Sequence, residues 1–527
     1  MAAPTLAATR VPPRWRASAR AIEPARAPSV ARASFAASRV ARARWARSDD
    51  ERSRGRGLLV AAPSSTARDR FDCETYAGED NLWTTQELPR LLEFYPKKNP
   101  CDGLMLTRGS WSAVASADGA SATLTGAMAF HNTTRGRHDV FVPEVSPRVT
   151  LLSKRADVRD FETEVTCAPR HPGNEPAARP DGHWPAYPVP LDGSTSMEVR
   201  VVIRSRSRSN SKSKSTPDPL ALLDAAWLRV SYVAYGRHGR TTHEQQVVLP
   251  LSFPDANRAP LLAGTKRETR DRGGDLRWRT IKPGLSVLCV PTHLLCHLDD
   301  PVSVIKKYVS KHARAGDVVA LGETPLAVMQ GRFRHPNSIV PGVVARAACV
   351  LFNRFASVAT ACGMQCLVDV SGALRVALAA VVAVVARVFR VRGVFYRLAG
   401  AQAKLVDDVS GTMPPYDQCV TLGPVNVQRC VDAVETRCGL PCAIVDVNDL
   451  TKIKGSFVTL GKSAGVDAAI LDVALMGNPA GNDDQQTPLV LIRCDAKRRD
   501  AIVEEGREDE RRRRDAAKRG GLKYVQK

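Results

Sequence analysis

Between Trp111 and Phe253 the chain alternates apolar and polar residues in short runs. Examples are Ser121-Ala-Thr-Leu-Thr-Gly, Asp139-Val-Phe-Val, Met197-Glu-Val-Arg-Val-Val-Ile, Trp227-Leu-Arg-Val-Ser-Tyr-Val and Gln246-Val-Val-Leu-Pro-Leu. A period of two puts every second side chain on one face, as in a strand buried on one side only. Such runs, separated by turn residues and edged with Pro, predict an all-β, sandwich-like domain over 70–255. From Leu276 the pattern changes to strand and helix in turn. Leu285-Ser-Val-Leu-Cys-Val reads as a strand. Residues 299–309 read as a helix, with Asp299 or Asp300 as cap and Pro301 in its first turn. Strands are expected at 317–321, 418–422, 442–447 and 489–493, and a helix at Val427–Cys438 that stops at Gly439. These elements predict an α/β (α+β) domain over 276–494. The polar stretch 256–275 reads as a linker and 495–527 as a charged, solvated tail.

One apolar run stands apart. Residues 376–386 are uninterrupted apolar positions between Arg375 and Arg387. The run is about half of the ~20 residues that a membrane-crossing helix needs. Two readings remain open. It is a buried core helix, or a helix lying on a membrane surface with Arg375, Arg387, Arg390 and Arg392 beside it.

Composition changes this picture at the ends. The chain of 527 residues is 44% hydrophobic, as globular proteins are, yet carries a formal charge of +22. Residues 1–48 hold ten Arg against the single acid Glu23. That composition predicts an organellar transit peptide within 1–60, for the chloroplast or, failing that, the mitochondrion. A basic arm for an acidic partner is the alternative. The Arg-Ser tract 204–216 is flanked by β patterning on both sides and reads as a loop insertion. With the excess charge in these appendages, no nucleic-acid partner is expected. The thirteen Cys include no CxxC pair, so no zinc set is predicted.

Candidate chemistry lies in the second domain. The strand at 317–321 ends in Gly322-Glu323-Thr324-Pro325 and the segment closes on Gly331-Arg332. A second cluster contains Asp407-Asp408, and a third follows Ala443-Ile-Val as Asp446-Val-Asn448-Asp449. Acids that end apolar strands suit a hard divalent cation, which takes one or two carboxylates and fills its other positions with water and phosphate oxygens. Open α/β sheets place such sites at the carboxyl ends of their strands. Each acid also has an ordinary reading as a cap or turn residue. The segment Gly455–Ser463 imitates a phosphate-binding loop but has five residues between its glycines where that loop has four. No P-loop is expected there.

These motifs resemble the coenzyme F-420 γ-glutamyl ligases over roughly 285–494, in the branch found in cyanobacteria and plastid-bearing eukaryotes. The resemblance rests on Pro291-Thr-His with Leu298-Asp-Asp, Gly316-Asp-Val through Gly331-Arg332, Asp407 or Asp408 after Leu398-Ala-Gly-Ala, Asp446 with Asn448-Asp449, and Gln486-Thr-Pro-Leu-Val-Leu-Ile-Arg493. It implies nucleotide- and metal-dependent amide ligation of glutamate to a small acidic acceptor. GTP or ATP would be held by Thr292, Asp299, Asp300, Thr324, Arg332 and Asn448. Mg²⁺ or Mn²⁺ would be held by Asp407, Asp408, Asp446 and Asp449. Glu323 is the catalytic candidate, orienting the amine or binding a second ion. A homodimer and peripheral membrane contact are compatible assemblies. The chain departs from the family pattern where Ala327, Val328 and Gln330 replace Ser-Lys-x-Glu, and where Lys452 and Lys454 stand in for an Arg-rich stretch. The rival expectation is therefore a ligase fold kept as a binding or scaffold module.

Overall fold

Strands β1 (Leu104–Leu106), β2 (Ser110–Ala115), β3 (Ser121–Asn132), β4 (Val140–Leu152), β5 (Phe161–Arg170), β6 (Tyr187–Val189), β7 (Ser194–Ser205), β8 (Ala225–Gly236) and β9 (Gly239–Pro250) build the first domain, with the short helix α1 (Pro219–Leu222) before β8. They come from a computed structural model that describes residues 104–519, apart from 133–137, 172–178, 180, 207–217, 238, 254–275, 353–356, 392, 409–412, 448–456 and 481–484. The expected leader and linker, most of the Arg-Ser tract, and Asn448 and Asp449 lie outside the described residues.

One sheet runs β1-β3-β7-β5 with β2 on β3, and the other runs β6-β4-β8-β9. The alternation read from the sequence is what closes them on each other. Along β7, Thr195, Met197, Val199, Val201 and Ile203 point inward while the residues between them face out. Met197, Val199, Val201 and Ile203 meet Leu228, Val230, Val247 and Leu249 from the opposite sheet in one core. Each such fully buried side chain contributes about 1.5–3 kcal/mol.

The second domain holds β10 (Arg279–Lys282), β11 (Leu285–Val290), helix α2 (Pro301–Tyr308), β12 (Val318–Gly322), α3 (Glu323–Met329), β13 (Phe333–Arg334), α4 (Val343–Cys349), α5 (Ala361–Ser371), α6 (Ala373–Val388) and α7 (Val394–Leu398). Then come β14 (Asp407–Asp408), β15 (Val420–Thr421), α8 (Val427–Cys438), β16 (Cys442–Val447), β17 (Phe457–Lys462), α9 (Ala468–Leu475), β18 (Leu489–Cys494) and α10 (Arg499–Arg519). The main sheet runs β10-β11-β18-β12-β16-β17 and a small one runs β13-β15-β14. Only β12 and β16 are parallel neighbours; β18 is antiparallel to both β11 and β12. Consequently β11, β12 and β16 all point the same way, and their carboxyl ends meet at one edge of the sheet. The expected cap of α2 is Asp300, whose carboxylate accepts from the Ser303 amide at 2.9 Å. Gly439, at φ +66, ends α8 in the left-handed region that glycine enters without strain. The strand expected at 418–422 shrinks to the two residues of β15. Residues 457–462 of the false phosphate loop form an antiparallel strand, β17, paired with β16, and Gly455 lies outside the described residues.

The core-helix reading of 376–386 is corrected. In α6 only Val376, Ala379 and Ala380 are buried, while Leu374, Leu378, Val381, Val382, Val384, Val385 and Val388 are exposed.

The two domains share a packed seam. Ala225, Trp227 and Val248 of the sandwich cluster with Leu294, Cys296, Val328, Phe333, Tyr416 and Cys419 of the second domain. Buried Arg108 donates to the carbonyls of Gln246, Gly331 and Phe333 at 3.0, 3.1 and 3.2 Å, and its guanidinium lies 4.4 Å from the Phe333 ring centre.

On β9, next to this seam, His243 sits with Nε2 2.9 Å from Thr241 Oγ1 and its ring stacked on Tyr232. Burial, helped by the charge of Arg334, pulls its pKa down to about 4. Unfolded, it takes up a proton near pH 6.5. Between those values the unfolded state holds more protons, so stability is full above about pH 6.5 and declines as pH falls toward 4. Burial shifts His131 and His335 the same way. Denaturant titrations should give a lower midpoint at pH 5 than at pH 7, with His243 alone worth up to about 3 kcal/mol by pH 4. His243→Gln should shrink the difference; equal midpoints in the unmodified protein would contradict the assignment.

Candidate functional site

The meeting of strand ends opens into a cavity of about 200 Å³. Each sequence segment delivers its residue there for a simple reason. Buried β11 gives way after Val290, and Thr292 follows at its carboxyl end. β12 ends at Gly322, and Glu323 opens α3 with Thr324 behind it. Gly322 is in register with Val445. The residues one step further, Glu323 and Asp446, therefore lie side by side at the carboxyl ends of adjacent parallel strands. Both residues line the cavity, with Thr292, His293, Thr324, Asn478, Gln486 and Thr487 among the other polar walls and Val328, Val445, Leu475 and Val490 among the apolar ones.

Asp407 joins this group at one remove, because Thr324 Oγ1 donates to its Oδ2 at 3.3 Å. Its neighbour Asp408 does not. Successive residues on a strand project to opposite faces, and Asp408 instead accepts from the hydroxyl of Thr360, the residue that caps α5 through the Gly363 amide. Burial raises the pKa of Asp408, with the Thr360 bond opposing. Among the described residues no three His, Cys, Asp or Glu side chains converge as a complete metal set.

The other sequence candidates lie outside the cavity lining and have structural partners. Asp299 Oδ1 is 2.9 Å from His293 Nε2, and its Oδ2 accepts from the Cys296 amide at 2.8 Å. Asp300 caps α2 and burial raises its pKa. Arg332 is buried and donates through Nε to the Gly423 carbonyl at 2.7 Å. At the departures from the family pattern, Ala327 and Val328 are buried, and the Gln330 amide group both donates to Val425 O and accepts from Val425 N at 2.9 Å.

Sequence reasoning passed over several lining residues. His293 has Nδ1 2.8 Å from Tyr308 Oη as well as its bond to Asp299, which fixes the ring at the cavity wall. Its only signal was its place directly after Thr292. Asn478 and Gln486 hold φ of +43 and +50, where residues other than glycine are uncommon. The Asn478 amide donates to Leu475 O at 3.0 Å, the Thr292 amide donates to Gln486 O at 3.1 Å, and Thr487 Oγ1 donates to Ala480 O at 2.5 Å. Backbone held in such regions gathers at ligand sites. No sequence pattern announces it.

The folded chain is thus an Ig-like β-sandwich followed by a domain of mixed helices and sheets with an acidic cavity at its strand ends. Residues 105–253 match the family model described as the N-terminal Ig-like domain of F420-0:gamma-glutamyl ligase. No curated protein matches the chain. Among solved structures it is similar to the GAE domain of GGA2p from Saccharomyces cerevisiae, at 6% identity and TM-score 0.15 over 28% of this chain and 98% of that one. It is also similar to the yeast GGA1 GAE domain–P21, at 9% identity and TM-score 0.14 over 30% and 97%. Likenesses this slight bear on neither fold nor function.

Proposed function

We propose that the cavity is the active site of a nucleotide- and metal-dependent amide ligase that adds glutamate, or a similar amine, to a coenzyme F-420-like or other acidic acceptor. The Ig-like domain of a γ-glutamyl ligase family supports a ligase-related role. The observation that carries the reading is the pairing of Glu323 and Asp446 at the carboxyl ends of two adjacent parallel strands. Phosphate oxygens would be repelled by such a wall unless a cation entered with them.

The donor set suits Mg²⁺ or Mn²⁺, which favour carboxylate oxygens and keep several waters. Asp446 and Asp407 would hold the ion, with Asp449 as a sequence-based addition. Such an ion would neutralise charge on the nucleotide phosphates. The chain's own groups supply the rest. Thr324 steadies the Asp407 carboxylate by its hydrogen bond. In the reaction, the γ-phosphoryl of GTP or ATP passes to the acceptor carboxylate, giving an acyl phosphate and nucleoside diphosphate. The glutamate amine then attacks the acyl carbon, phosphate leaves, and Glu323 accepts the proton lost from nitrogen. The acid-poor, Arg-rich start supports a chloroplast setting for this chemistry.

A second reading has its own support. Ala327, Val328 and Gln330 are engaged in packing and backbone bonds where the family carries a Lys and an acid. This favours a binding module that keeps the site without turnover. Mn²⁺ titration followed by electron paramagnetic resonance separates the possibilities. The ligase account expects saturable binding of Mn²⁺ and, with glutamate and acceptor-type carboxylates present, release of nucleoside diphosphate. Mn²⁺ binding without release would favour the module, and absence of Mn²⁺ binding would defeat the metal site.

A further inference from the structure

Helix α6 presents the wrong face to water. Its buried positions Val376, Ala379 and Ala380 form one stripe, as an amphipathic helix requires. The opposite face should then be polar. Instead Leu374, Leu378, Val385 and Val388 are 75%, 56%, 53% and 77% exposed, with Val381 and Val382 between them. These positions are spaced by three, four and seven residues, so they share one side of the helix. The apolar surface continues past the helix end at Phe389 and Val391. It also meets the end of α4, because Arg387 donates to the Leu351 carbonyl beside exposed Val350. Contiguous exposed apolar surface of this kind marks an interaction site.

The charge around it narrows the partner. From residue 370 to residue 406 the chain has no Asp or Glu. It has Arg375, Arg387, Arg390 and Arg397 at or beyond the two ends of the apolar face, all exposed. We propose that α6 is a membrane-attachment helix that lies in the surface of an anionic bilayer, with its Leu and Val side chains among the acyl chains and these arginines at the headgroups. Such a helix, apolar on one face and flanked only by cations, is how interfacial attachment is built. A protein partner fits less well, since protein interfaces draw their binding energy from Trp, Tyr and Arg anchors in pockets, while Leu and Val are scarce among them. A second copy would bring the same cations face to face. No single described helix is long and apolar enough to cross a membrane. The bent pair α5–α6, turning by 118°, would have to unpack the buried Met364, Cys366 and Leu367 of α5.

The test is co-sedimentation of the full chain with vesicles of phosphatidylcholine alone or with about 30% phosphatidylglycerol, compared with the double variant Leu378→Glu/Val385→Glu. Both positions are exposed, so folding should be retained, and circular-dichroism melting checks this. The proposal expects binding at least about tenfold stronger on the anionic vesicles, and a loss of about tenfold or more in the variant. Undiminished vesicle binding by the variant would assign attachment to the basic residues 1–48 and overturn the proposal. So would the absence of vesicle binding together with dimerisation that the variant abolishes.

Discussion

Asp446→Asn is expected to weaken Mg²⁺-dependent nucleotide binding by about a hundredfold, or about 2.7 kcal/mol, while shifting the thermal midpoint by no more than a degree or two. The asymmetry follows from position. Asp446 is the fifth residue of a six-residue strand whose first four are buried, and is itself only half-buried at the cavity wall. An amide keeps the shape but removes the charge that a hard cation requires. Asp408→Asn supplies the contrast. Its carboxylate serves Thr360 and the start of α5, so its loss should lower stability by about 1–2 kcal/mol and leave nucleotide affinity within about twofold. Calorimetry and thermal unfolding on the two variants read both quantities. Equal effects of the two substitutions on binding would mean that Asp446 has no special part in the site.

Arg108→Met is expected to destabilise the protein by about 3 kcal/mol or more, since each buried acceptor left without its donor costs about 1–3 kcal/mol. Three carbonyls lose their shared donor, and two of them, of Gly331 and Phe333, belong to the other domain. Gly331 makes the contact close. At φ +70, a Cβ there would stand 2.6 Å from the Arg108 guanidinium. Gly331→Ala should therefore act in the same direction by adding backbone strain to a displaced Arg. Denaturant unfolding followed by tryptophan fluorescence would show the loss, and an unchanged midpoint in Arg108→Met would show that the carbonyls find other donors.

Parts of this architecture were legible in the sequence because local signals and burial agreed. Alternation along β7, the Asp300-Pro301 cap and the Gly439 stop each predict a feature that the fold then uses without conflict. The strand ends bearing Glu323 and Asp446 were legible because a carboxylate directly after an apolar run has few places to go. What was not legible depended on the third dimension. An apolar run such as 376–386 fits a core helix or a surface helix alike, and only its packing against α4, α5 and α7 decides that most of its face stays bare. Asp407 and Asp408 are adjacent in sequence yet serve different faces of β14, one toward Thr324 and one toward Thr360. Arg108 looks like any basic residue in a β domain until Gly331 and Phe333, more than two hundred residues away, close over it.

The account depends most on the acidic cavity taking nucleotide only together with a divalent cation. Calorimetric titration of GTP and ATP into the full chain, with and without Mg²⁺, tests this directly. The prediction is saturable binding with Mg²⁺ that weakens at least about tenfold when the metal is chelated. Binding of equal strength in both conditions, or none with Mg²⁺ present, would contradict it.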